Sequence, residues 1–349
     1  MENKPKILLT GAYGRIGRRI LDRFSDFFFM IPTDNEPAEK ANEENYFKMD
    51  ITNEESVANA LKETKEKYGG KLASVIHLAA YYSFGDQDWK KYQKITIEGT
   101  ERLLRHLKKN FEVEQFVFSS TQLVYKPCQL GEKIKEDSPL RAKWEYPQSK
   151  VITENILFDK NENIPLVILH IAGCYDEECN CIPISQQINR IYKRSYQRYL
   201  FPGNVLHGSP YMHFDDLVEA IFKVVQKRKE LPFETILILG EPKTYSYDAI
   251  QRRLGQLILN EEFKTYEIPK FIAKAGSWIE NHLPFYPKPF TQPWMIDIAD
   301  DHYELDISHA KSLIGWEPKW NVYDTLPLMV EDLKRDPVDW FKRHKIPIS

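Results

Sequence analysis

The sequence lacks the features that would place the chain in a membrane, outside the cell or on a nucleic acid. Over 349 residues the formal net charge is only −3, so no global charge excess attracts a nucleic acid. The longest strongly apolar run, residues 27–31, is far too short to span a bilayer. The first residues contain no long apolar segment and no small-residue cleavage site, so we expect no signal peptide.

Cysteine is scarce as well. Of the four cysteines, Cys128 is isolated, whereas Cys174, Cys179 and Cys181 are clustered. Four cysteines in a chain of this length do not form a disulfide framework, so a cytoplasmic location is expected. No CxxC pair or nearby histidine accompanies the cluster, and we therefore expect ordinary thiols and no metal site.

Apolar residues, in contrast, make up 42% of the chain, which is ample for the core of one large or two moderate domains. In the first half, short apolar runs alternate with amphipathic stretches of helical spacing. The runs cover residues 7–9, 75–78, 116–118 and 166–169. Continuous apolar strands separated by helices predict an α/β fold, with a Rossmann-like doubly wound parallel sheet covered on both faces.

The pattern loosens after Gly173 and becomes more helical. We therefore predict that residues 1–173 form a dinucleotide-binding domain, to which residues 205–240 partly return. Residues 174–349 are predicted to form a smaller, mainly helical C-terminal domain that binds the substrate.

A glycine-rich turn follows the first predicted strand. Gly11, Gly14 and Gly17 lie between that strand and a helical pattern that begins at residue 18. Gly11 permits a tight turn, Gly14 lets the backbone approach a pyrophosphate, and Gly17 lets the helix pack closely on the sheet. Free N–H groups at the helix start would face the anion, so the turn predicts a dinucleotide site. The same predicted site includes the intervening Tyr13, Arg15 and Ile16.

Asp34 follows the second apolar run, 17 residues after Gly17. A carboxylate at this position accepts hydrogen bonds from the adenosine ribose diol and repels a 2′-phosphate, so NAD is favoured over NADP. A solvated loop aspartate is the alternative interpretation. Arg15 and Arg18 could pair with a phosphate, so NADP stays open.

Tyr146 and Lys150 lie four residues apart in a predicted helix and therefore share one face. A Tyr phenol titrates near pH ~10, and a neighbouring ammonium is expected to lower that pKa. Tyr146 could then exchange a proton with a substrate oxygen while a hydride moves at the adjacent carbon. A hydroxyl at the end of the strand at residues 116–121 would hydrogen-bond the same oxygen; Thr121 is favoured and Ser120 is the alternative.

The four-residue spacing is weak evidence by itself, because Tyr266 and Lys270 share it. No strand with a terminal hydroxyl precedes that second pair at a comparable distance. We interpret the second pair as a coincidence.

The chain resembles the extended, epimerase/dehydratase-type branch of the short-chain dehydrogenase/reductase superfamily. The resemblance rests on Thr10 with the three glycines and on Tyr146 with Lys150, and weaker matches extend it over nearly the entire chain. It implies that Tyr146 is the acid/base, that Lys150 stabilises the phenolate and contacts ribose, and that Thr121 polarises the substrate oxygen. It also implies a homodimer built from two helices per subunit. Further cofactor contacts implied by the resemblance are Asp50, Ile51, Leu78, Ala79 and Ala80.

Some positions depart from the family pattern. Thr96 stands where the NxxGT motif has Asn, and His170 and Gly173 replace the Arg and Asn that members acting on sugar nucleotides carry. Such members often also carry an Arg that holds the substrate diphosphate, and the corresponding position in this chain is approximately Ser209. The anion clamp is therefore incomplete, unless one of three arginines substitutes for it: Arg190, Arg194 or Arg198.

Two further segments are compared with the family pattern because they bear on the reaction. Gln122 and Leu123 follow Thr121 where the sugar dehydratases of the family place an Asp–Glu pair, so elimination by that route is not expected. Asp215 and Asp216 match a family segment and are expected to cap a helix.

Aromatic residues after the strand at residues 75–78, Tyr82 among them, predict either stacking on a substrate ring or ordinary loop packing.

The combined features predict NAD-dependent hydride exchange at a secondary alcohol or ketone carbon of a carbohydrate-like molecule, with nucleotide sugars among the candidates. One alternative is a simple NAD(P)-dependent dehydrogenase or reductase that acts on a non-nucleotide substrate. Another is a non-catalytic NAD-binding regulator. A third interpretation, peripheral membrane attachment through residues 271–290, is less favoured than core packing.

Overall fold

The computed structural model describes residues 4–35, 45–85, 87–283 and 290–348. The strands are β1 Lys6–Thr10, β2 Phe29–Asp34, β3 Phe47–Lys48, β4 Lys71–Leu72, β5 Ser74–His77, β6 Glu112–Val113, β7 Phe116–Thr121, β8 Leu166–Ile171, β9 Gly173–Tyr175, β10 Leu200–Pro202, β11 Tyr211–His213, β12 Glu234–Leu239 and β13 Tyr266–Ile268. The helices are α1 Arg15–Phe24, α2 Glu54–Tyr68, α3 Trp89–Lys91, α4 Glu98–Asn110, α5 Glu145–Lys160, α6 Ile182–Tyr192, α7 Phe214–Gln226, α8 Tyr247–Leu259, α9 Lys270–His282, α10 Pro293–Asp297, α11 Ser308–Ile314, α12 Val322–Arg335 and α13 Pro337–Arg343. A π-helical turn, Tyr92–Ile97, joins α3 to α4.

Seven strands form one parallel sheet in the order β12-β8-β7-β5-β1-β2-β3. The chain moves outward from β1 to β3 and then returns to β5 on the other side of β1. This reversal opens a crevice at the carboxyl ends of β1 and β5, where open α/β sheets bind their ligands. The predicted Rossmann-like doubly wound sheet is confirmed.

Both faces of the large sheet are buried, as the continuous apolar strands required. Ile7 and Leu9 of β1 pack into one core with residues of α1, α7 and α11. Leu8 points to the opposite face and packs into a second core with residues of α2, α4 and α5. Successive side chains of a strand point to opposite faces, so one short strand contributes to both cores.

The second half of the chain contributes both to this sheet and to a separate core. Strand β12 lies at one edge of the large sheet, and residues between Tyr303 and Trp316 pack into the core that α1 and α7 share. A third core joins α6, α8, α12 and α13. Two short parallel pairs, β9–β11 and β10–β13, lie outside the large sheet.

The expectation that Asp215 and Asp216 cap a helix was wrong for the N-cap itself. Both residues lie in the first turn of α7, and the His213 side chain accepts the capping hydrogen bond from the N–H of Asp215 at 3.2 Å. The Asp216 carboxylate instead accepts backbone hydrogen bonds from Lys319 and Trp320, at 2.9–3.0 Å. It therefore fastens a distant segment to the start of α7.

Within the described ranges, no helix has both the length and the apolar character needed to cross a bilayer. Phe271 and Trp278 of α9, which belong to the segment considered for membrane attachment, are exposed. Phe285 and Tyr286 of that segment lie outside the described residues.

Candidate active site

The glycine turn has no room for a side chain at Gly11 or Gly17. Gly11 has a φ of +66°, and a Cβ on it would lie 3.0 Å from the backbone nitrogen of Ala79. A Cβ on Gly17 would lie 2.5 Å from the carbonyl oxygen of Ala12 and closer still to that of Gly11. The turn, the start of α1 and the segment after β5 thus approach each other at backbone distance. A side chain at Gly11 or Gly17 would fill this cradle.

The N-terminus of α1 is open to an anion. The N-cap Gly14 offers no side-chain hydrogen bond, and the first turn carries no acidic residue. The first N–H groups of the helix therefore have no side-chain cap, and the helix dipole favours a negative charge in front of them. The residues of the turn that line the cavity in front of it are Gly11, Gly14, Arg15, Ile16 and Gly17. The cradle and the open helix start fit a dinucleotide pyrophosphate.

Asp34 is tied to the glycine turn from the end of β2. Its Oδ2 accepts the backbone N–H of Tyr13 at 2.9 Å, and its Oδ1 accepts that of Asn35 at 2.8 Å. The ring of Tyr13 packs 5.4 Å from that of Tyr46. The carboxylate expected to read the adenosine ribose is thus fixed beside the turn.

Asp50 and Ile51 lie next to this region but outside the cavity wall. Asp50 Oδ1 accepts hydrogen bonds from the Thr52 N–H at 2.9 Å and from its hydroxyl at 2.8 Å, which forms a local turn before α2. Ile51 is buried, and a Cβ on Gly99 would lie 3.0 Å from its side chain. The structure accounts for both residues as supports of the α2–α4 packing.

A buried polar line supports the segment Leu78–Ala79–Ala80 behind the cofactor cradle. Thr10 Oγ1 accepts the Ala79 N–H at 3.2 Å and lies 2.6 Å from His77 Nδ1. His77 Nε2 lies 2.9 Å from the Thr100 hydroxyl. Complete burial lowers the pKa of His77 to about 3, and the nearby Lys150 charge acts in the same direction, so the imidazole is neutral. Leu78 and Ala80 line the cavity.

Thr96 retains an anchor at the position where the family pattern has Asn. Its hydroxyl accepts the backbone N–H of Tyr81 at 3.0 Å. The side chain is completely buried in the π-helical turn before α4. The substitution therefore preserves a link to the loop that follows β5.

Tyr146, Lys150 and Thr121 come together at the carboxyl ends of the strands. Lys150 Nζ donates to the Ser119 carbonyl oxygen at 2.6 Å and lies 5.9 Å from the centre of the Tyr146 ring. Tyr146 hydrogen-bonds the Thr121 side chain. All three line the cavity that begins at the glycine turn. The two parts of the sequence that predicted hydride chemistry thus face one space.

Burial changes the acid–base behaviour of this pair. It lowers the pKa of Lys150 to about 7, against an opposing effect of the Glu154 charge. It raises the pKa of Tyr146, while the hydrogen bond from Thr121 acts in the opposite direction. The expectation that Lys150 lowers the pKa of Tyr146 below its usual value is not met, because burial penalises the phenolate more strongly. The phenol is neutral in the resting site.

Ser120, the alternative to Thr121, is already engaged. Its hydroxyl donates to the Glu154 carboxylate on α5. Both hydroxyls line the cavity, but only Thr121 is hydrogen-bonded to Tyr146. Among the described contacts, Thr121 is therefore the hydroxyl placed beside the phenol.

An aromatic wall surrounds Tyr146. Its ring centre lies 4.9 Å from that of Tyr82 and 5.4 Å from that of Trp144. Phe84 lies 5.5 Å from Trp144 and stacks on Phe290 at 5.9 Å. Sequence reasoning included Tyr82 and Phe84 but missed Trp144, although its position two residues before Tyr146 was a usable signal. Phe290 comes from a distant segment that no local pattern connects to the site.

The cavity has a volume of about 960 Å³ and extends from the glycine turn to the C-terminal elements. On the C-terminal side, the charged lining residues are Lys143, Arg190, Glu280 and Asp301. Lys143 and Asp301 form an ion pair, and Glu280 accepts hydrogen bonds from the Tyr196 hydroxyl and the Gln197 amide. The described residues offer Arg190 no carboxylate partner, and its guanidinium lies 3.4 Å from the Tyr247 hydroxyl.

Of the three arginines that could have completed an anion clamp, the structure brings only Arg190 to the cavity. Arg194 is paired with Glu261 at 3.3 Å on the surface. Arg198 is buried against the rings of Tyr199 and Phe263. Sequence spacing could not distinguish the three. In the described part of the chain, no group of three His, Cys, Asp or Glu side chains is arranged to hold a metal ion.

Comparison with protein families gives one match: the model of the NAD dependent epimerase/dehydratase family matches residues 7–240. A comparison with curated proteins found no match. Several solved structures are similar in fold. UDP-glucose 4-epimerase from Thermus thermophilus, in complex with NAD, is 19% identical with a TM-score of 0.69, and the match covers 95% of this chain and 99% of that chain.

Two further structures show the same fold. dTDP-glucose 4,6-dehydratase from Bacillus anthracis, in complex with NAD, is 18% identical with a TM-score of 0.71, covering 97% of this chain and 99% of that chain. UDP-glucuronic acid 4-epimerase from Bacillus cereus, in complex with UDP-glucuronic acid and NAD, is 19% identical with a TM-score of 0.68, covering 95% and 99%. Nearly the whole length of each of these proteins is therefore represented in this chain.

Proposed function

Because this chain belongs to the NAD-dependent epimerase/dehydratase family, we propose that it catalyses reversible hydride exchange at a hydroxyl-bearing carbon of a carbohydrate-like substrate. The observation that carries the proposal is the meeting of Thr121, Tyr146 and Lys150 at the cavity that begins at the glycine turn. A cradle for a dinucleotide and a proton-transfer pair in one cavity serve the same reaction.

NAD is the cofactor of this proposal. Gly11, Gly14 and Gly17, with the open start of α1, would hold its pyrophosphate, Asp34 its adenosine ribose and Lys150 its nicotinamide ribose. Bound NAD supplies an acceptor and a donor of hydride. Four of the predicted cofactor residues do not line the cavity and would support the residues that do: Tyr13, Asp50, Ile51 and Ala79.

The side chains of this protein would move the proton that accompanies the hydride. In the oxidative direction Tyr146 first releases its own proton to solvent and then, as a phenolate, accepts the proton of the substrate hydroxyl. In the reductive direction the phenol returns that proton. Lys150, held against the Ser119 carbonyl, stabilises the phenolate that this exchange requires. Thr121 shares its hydrogen bond with the reacting oxygen and orients it against Tyr146.

The lining of the cavity favours a substrate with at most one negative charge. Lys143 is neutralised by Asp301, so Arg190 and Glu280 are the remaining charges among the described lining residues on the C-terminal side. A nucleoside diphosphate would bring two negative charges to one unpaired cation, and buried charges without partners are costly. The aromatic wall offers flat apolar surface to a sugar ring. We therefore favour a neutral or singly charged sugar derivative over the nucleotide sugars that the similar epimerases bind.

Two reaction outcomes share this site. The hydride can return to the same carbon after rotation, as in an epimerase, or leave with the cofactor, as in a dehydrogenase or reductase. The geometry of the site supports these two outcomes equally. Gln122 and Leu123 beside Thr121 supply no acid–base pair for elimination, so a dehydratase is not proposed.

The first experiment is to purify the protein without added cofactor, denature it and identify the released nucleotide by mass spectrometry. Stoichiometric NAD favours the epimerase cycle, in which the cofactor stays bound. Absence of nucleotide with binding of added NAD favours an exchangeable cofactor and a dehydrogenase or reductase. Failure to bind both NAD and NADP would contradict the proposal.

The catalytic assignment is tested by Tyr146→Phe, with Tyr266→Phe as the matched control because it alters the second tyrosine of the same spacing. Over a panel of neutral and singly charged sugars, NADH formation detects a dehydrogenase. Chromatography of the sugars detects an epimerase, which accumulates no NADH. We expect Tyr146→Phe to lower the rate by about 10²–10⁴-fold with NAD affinity retained, and Tyr266→Phe to have no effect. Equal measurable rates in the three proteins would contradict the role of Tyr146. Binding of NAD without turnover in either readout would favour the non-catalytic NAD-binding regulator.

The cellular location and the oligomeric state are part of the same proposal. All four cysteines are free thiols, which supports the proposed cytoplasmic location. The homodimer implied by the family resemblance is proposed with it, and analytical ultracentrifugation of the purified chain tests it.

A further inference from the structure

A buried line of polar side chains joins the end of strand β7 to α5 and β8. Ser120 donates its hydroxyl proton to Glu154 on α5. The other oxygen of Glu154 lies 3.2 Å from His170 Nε2 on β8, and His170 Nδ1 lies 2.7 Å from the Tyr125 hydroxyl. All four side chains are buried, with Glu154 4% and His170 1% exposed. The reaction proposed above makes no direct use of this line.

The contact between Glu154 and His170 requires a shared proton. In the arrangement that leaves Glu154 a carboxylate, the Ser120 hydroxyl donates to one of its oxygens and the Nε2–H of His170 donates to the other at 3.2 Å. Burying a carboxylate without a hydrogen-bond partner costs free energy. The contact between Glu154 and His170 reduces this cost for both side chains. The pair is therefore a single unit whose geometry is set by both β8 and α5.

This unit touches the reactive pair through two connections. Ser120 lies between Ser119, whose carbonyl accepts the Lys150 ammonium at 2.6 Å, and Thr121, which hydrogen-bonds Tyr146. Fixing Ser120 from behind thus fixes both of its neighbours in front. Glu154 also follows Lys150 by one helical turn, so its negative charge stabilises the ammonium.

We propose that Glu154 and His170 are positioning residues of the Tyr146–Lys150 site, and that they act by holding Ser120 at the end of β7 and by placing one negative charge a helical turn behind Lys150. The proposal rests on the proposed function of Tyr146 and Lys150. It extends that function to a carboxylate–imidazole pair that stands outside the cavity. It also gives a role to His170, which departs from the family's arginine.

Two substitutions at one position separate the charge from the contacts. Glu154→Gln keeps the length and hydrogen-bonding shape and removes the charge. Glu154→Asp keeps the charge and is too short to hold both Ser120 and His170. Glu241→Gln is the matched control, because Glu241 is also buried but binds Tyr175 and the Val322 N–H away from Lys150.

The first readout is the titration of the Lys150 amine by NMR of ¹⁵N-lysine-labelled protein without cofactor. The titratable groups that face this amine are Tyr146 and Glu154 on its own helix and His77 on β5. Because Glu154→Gln removes the one negative charge among them, we expect its midpoint to fall by about one unit or more relative to wild type. Glu154→Asp and Glu241→Gln should keep the wild-type midpoint.

The second readout is the affinity for NAD by calorimetry. Glu154→Asp should weaken NAD binding by roughly threefold or more, because the strand end that holds Lys150 loses its rear contact. A wild-type midpoint in folded Glu154→Gln would overturn the proposal. If Glu154→Gln does not fold, Glu154→Asp decides alone, and unchanged NAD affinity overturns it. Failure of the wild-type protein to bind NAD would instead contradict the proposed function itself.

Discussion

The two ends of the cavity are built by different means. The cofactor end consists of backbone: Gly11 and Gly17 leave no room for a Cβ, and the start of α1 faces the space with N–H groups. The substrate end consists of side chains from separate elements, among them Trp144, Phe290 and Arg190. At the first end a single added methyl group disrupts the shape, whereas at the second end one side chain can replace another.

This difference separates what the family shares from what is particular to this chain. Backbone geometry binds a pyrophosphate whatever side chains surround it, so a cofactor site tolerates wide sequence change outside its glycines. Side chains determine which substrate is accepted, and they can change without disturbing the sheet. A similar fold at 18–19% identity is therefore compatible with a shared cofactor and a different substrate.

The largest expected contrast comes from the same substitution at both ends. Gly17→Ala would place a Cβ 2.5 Å from the Ala12 carbonyl oxygen, so we expect a loss of about 2 kcal/mol in the free energy of unfolding and at least about tenfold weaker NAD binding. Gly276→Ala, on α9 at the substrate end, meets no atom within 4 Å and should be neutral or stabilising by up to about 1 kcal/mol. Urea unfolding and calorimetry measure both quantities. Equal effects of the two substitutions would remove the distinction.

The next contrast concerns pH and the buried lysine between the two ends. The pKa of Lys150 is lowered from 10.5 to about 7 by burial, so the unfolded chain holds a proton that the folded chain releases. Between pH 7 and 10.5 the unfolded state therefore binds more protons, and this group makes the folded state more stable as pH rises. Below pH 7 both states are protonated and the full cost of burying the charge applies.

Lys150→Met removes this dependence. Without cofactor, we expect its melting temperature to exceed that of wild type most at pH 7, with the difference shrinking towards pH ~9.5 as the wild-type amine loses its proton. Melting curves of both proteins across this range provide the test. A difference that stays constant with pH would show that burial does not shift this titration.

The smallest contrast concerns cofactor choice. Asp34→Asn removes the charge expected to repel a 2′-phosphate, while its amide oxygen can still accept the Tyr13 N–H. We expect the ratio of NAD to NADP affinity to fall by about tenfold. Phe84→Leu, in the aromatic wall, serves as the control and should leave that ratio unchanged. A ratio that moves in Phe84→Leu but not in Asp34→Asn would reverse the roles of the two ends.

The sequence was most informative where function depends on neighbouring residues. The spacing of Gly11, Gly14 and Gly17 after a strand predicted a turn that the structure shows, because backbone contacts of this kind depend on local order. The i, i+4 relation of Tyr146 and Lys150 likewise survives as one face of α5. The buried strands of the large sheet were predicted by their continuous apolar runs.

Prediction failed where a property depends on tertiary packing. The sign of the shift in the Tyr146 pKa depends on how deeply the fold buries the phenol, which a four-residue spacing does not contain. His213 caps α7 because its ring meets a particular N–H, although aspartates beside it are better caps on average. Which of three arginines reaches the cavity is decided by elements distant in sequence, and the same holds for the partner of Ser120.

The return of residues between Tyr303 and Trp316 to the large sheet has a consequence for synthesis on the ribosome. Leu305 and Trp316 are buried against elements of the first half, and the Trp316 indole donates to the Asp216 carbonyl oxygen at 3.0 Å. The core that supports the cofactor end therefore stays incomplete until more than 300 residues have emerged. Nascent chains stalled before that point should expose apolar sheet surface and bind chaperones, although the family's matched segment ends at residue 240.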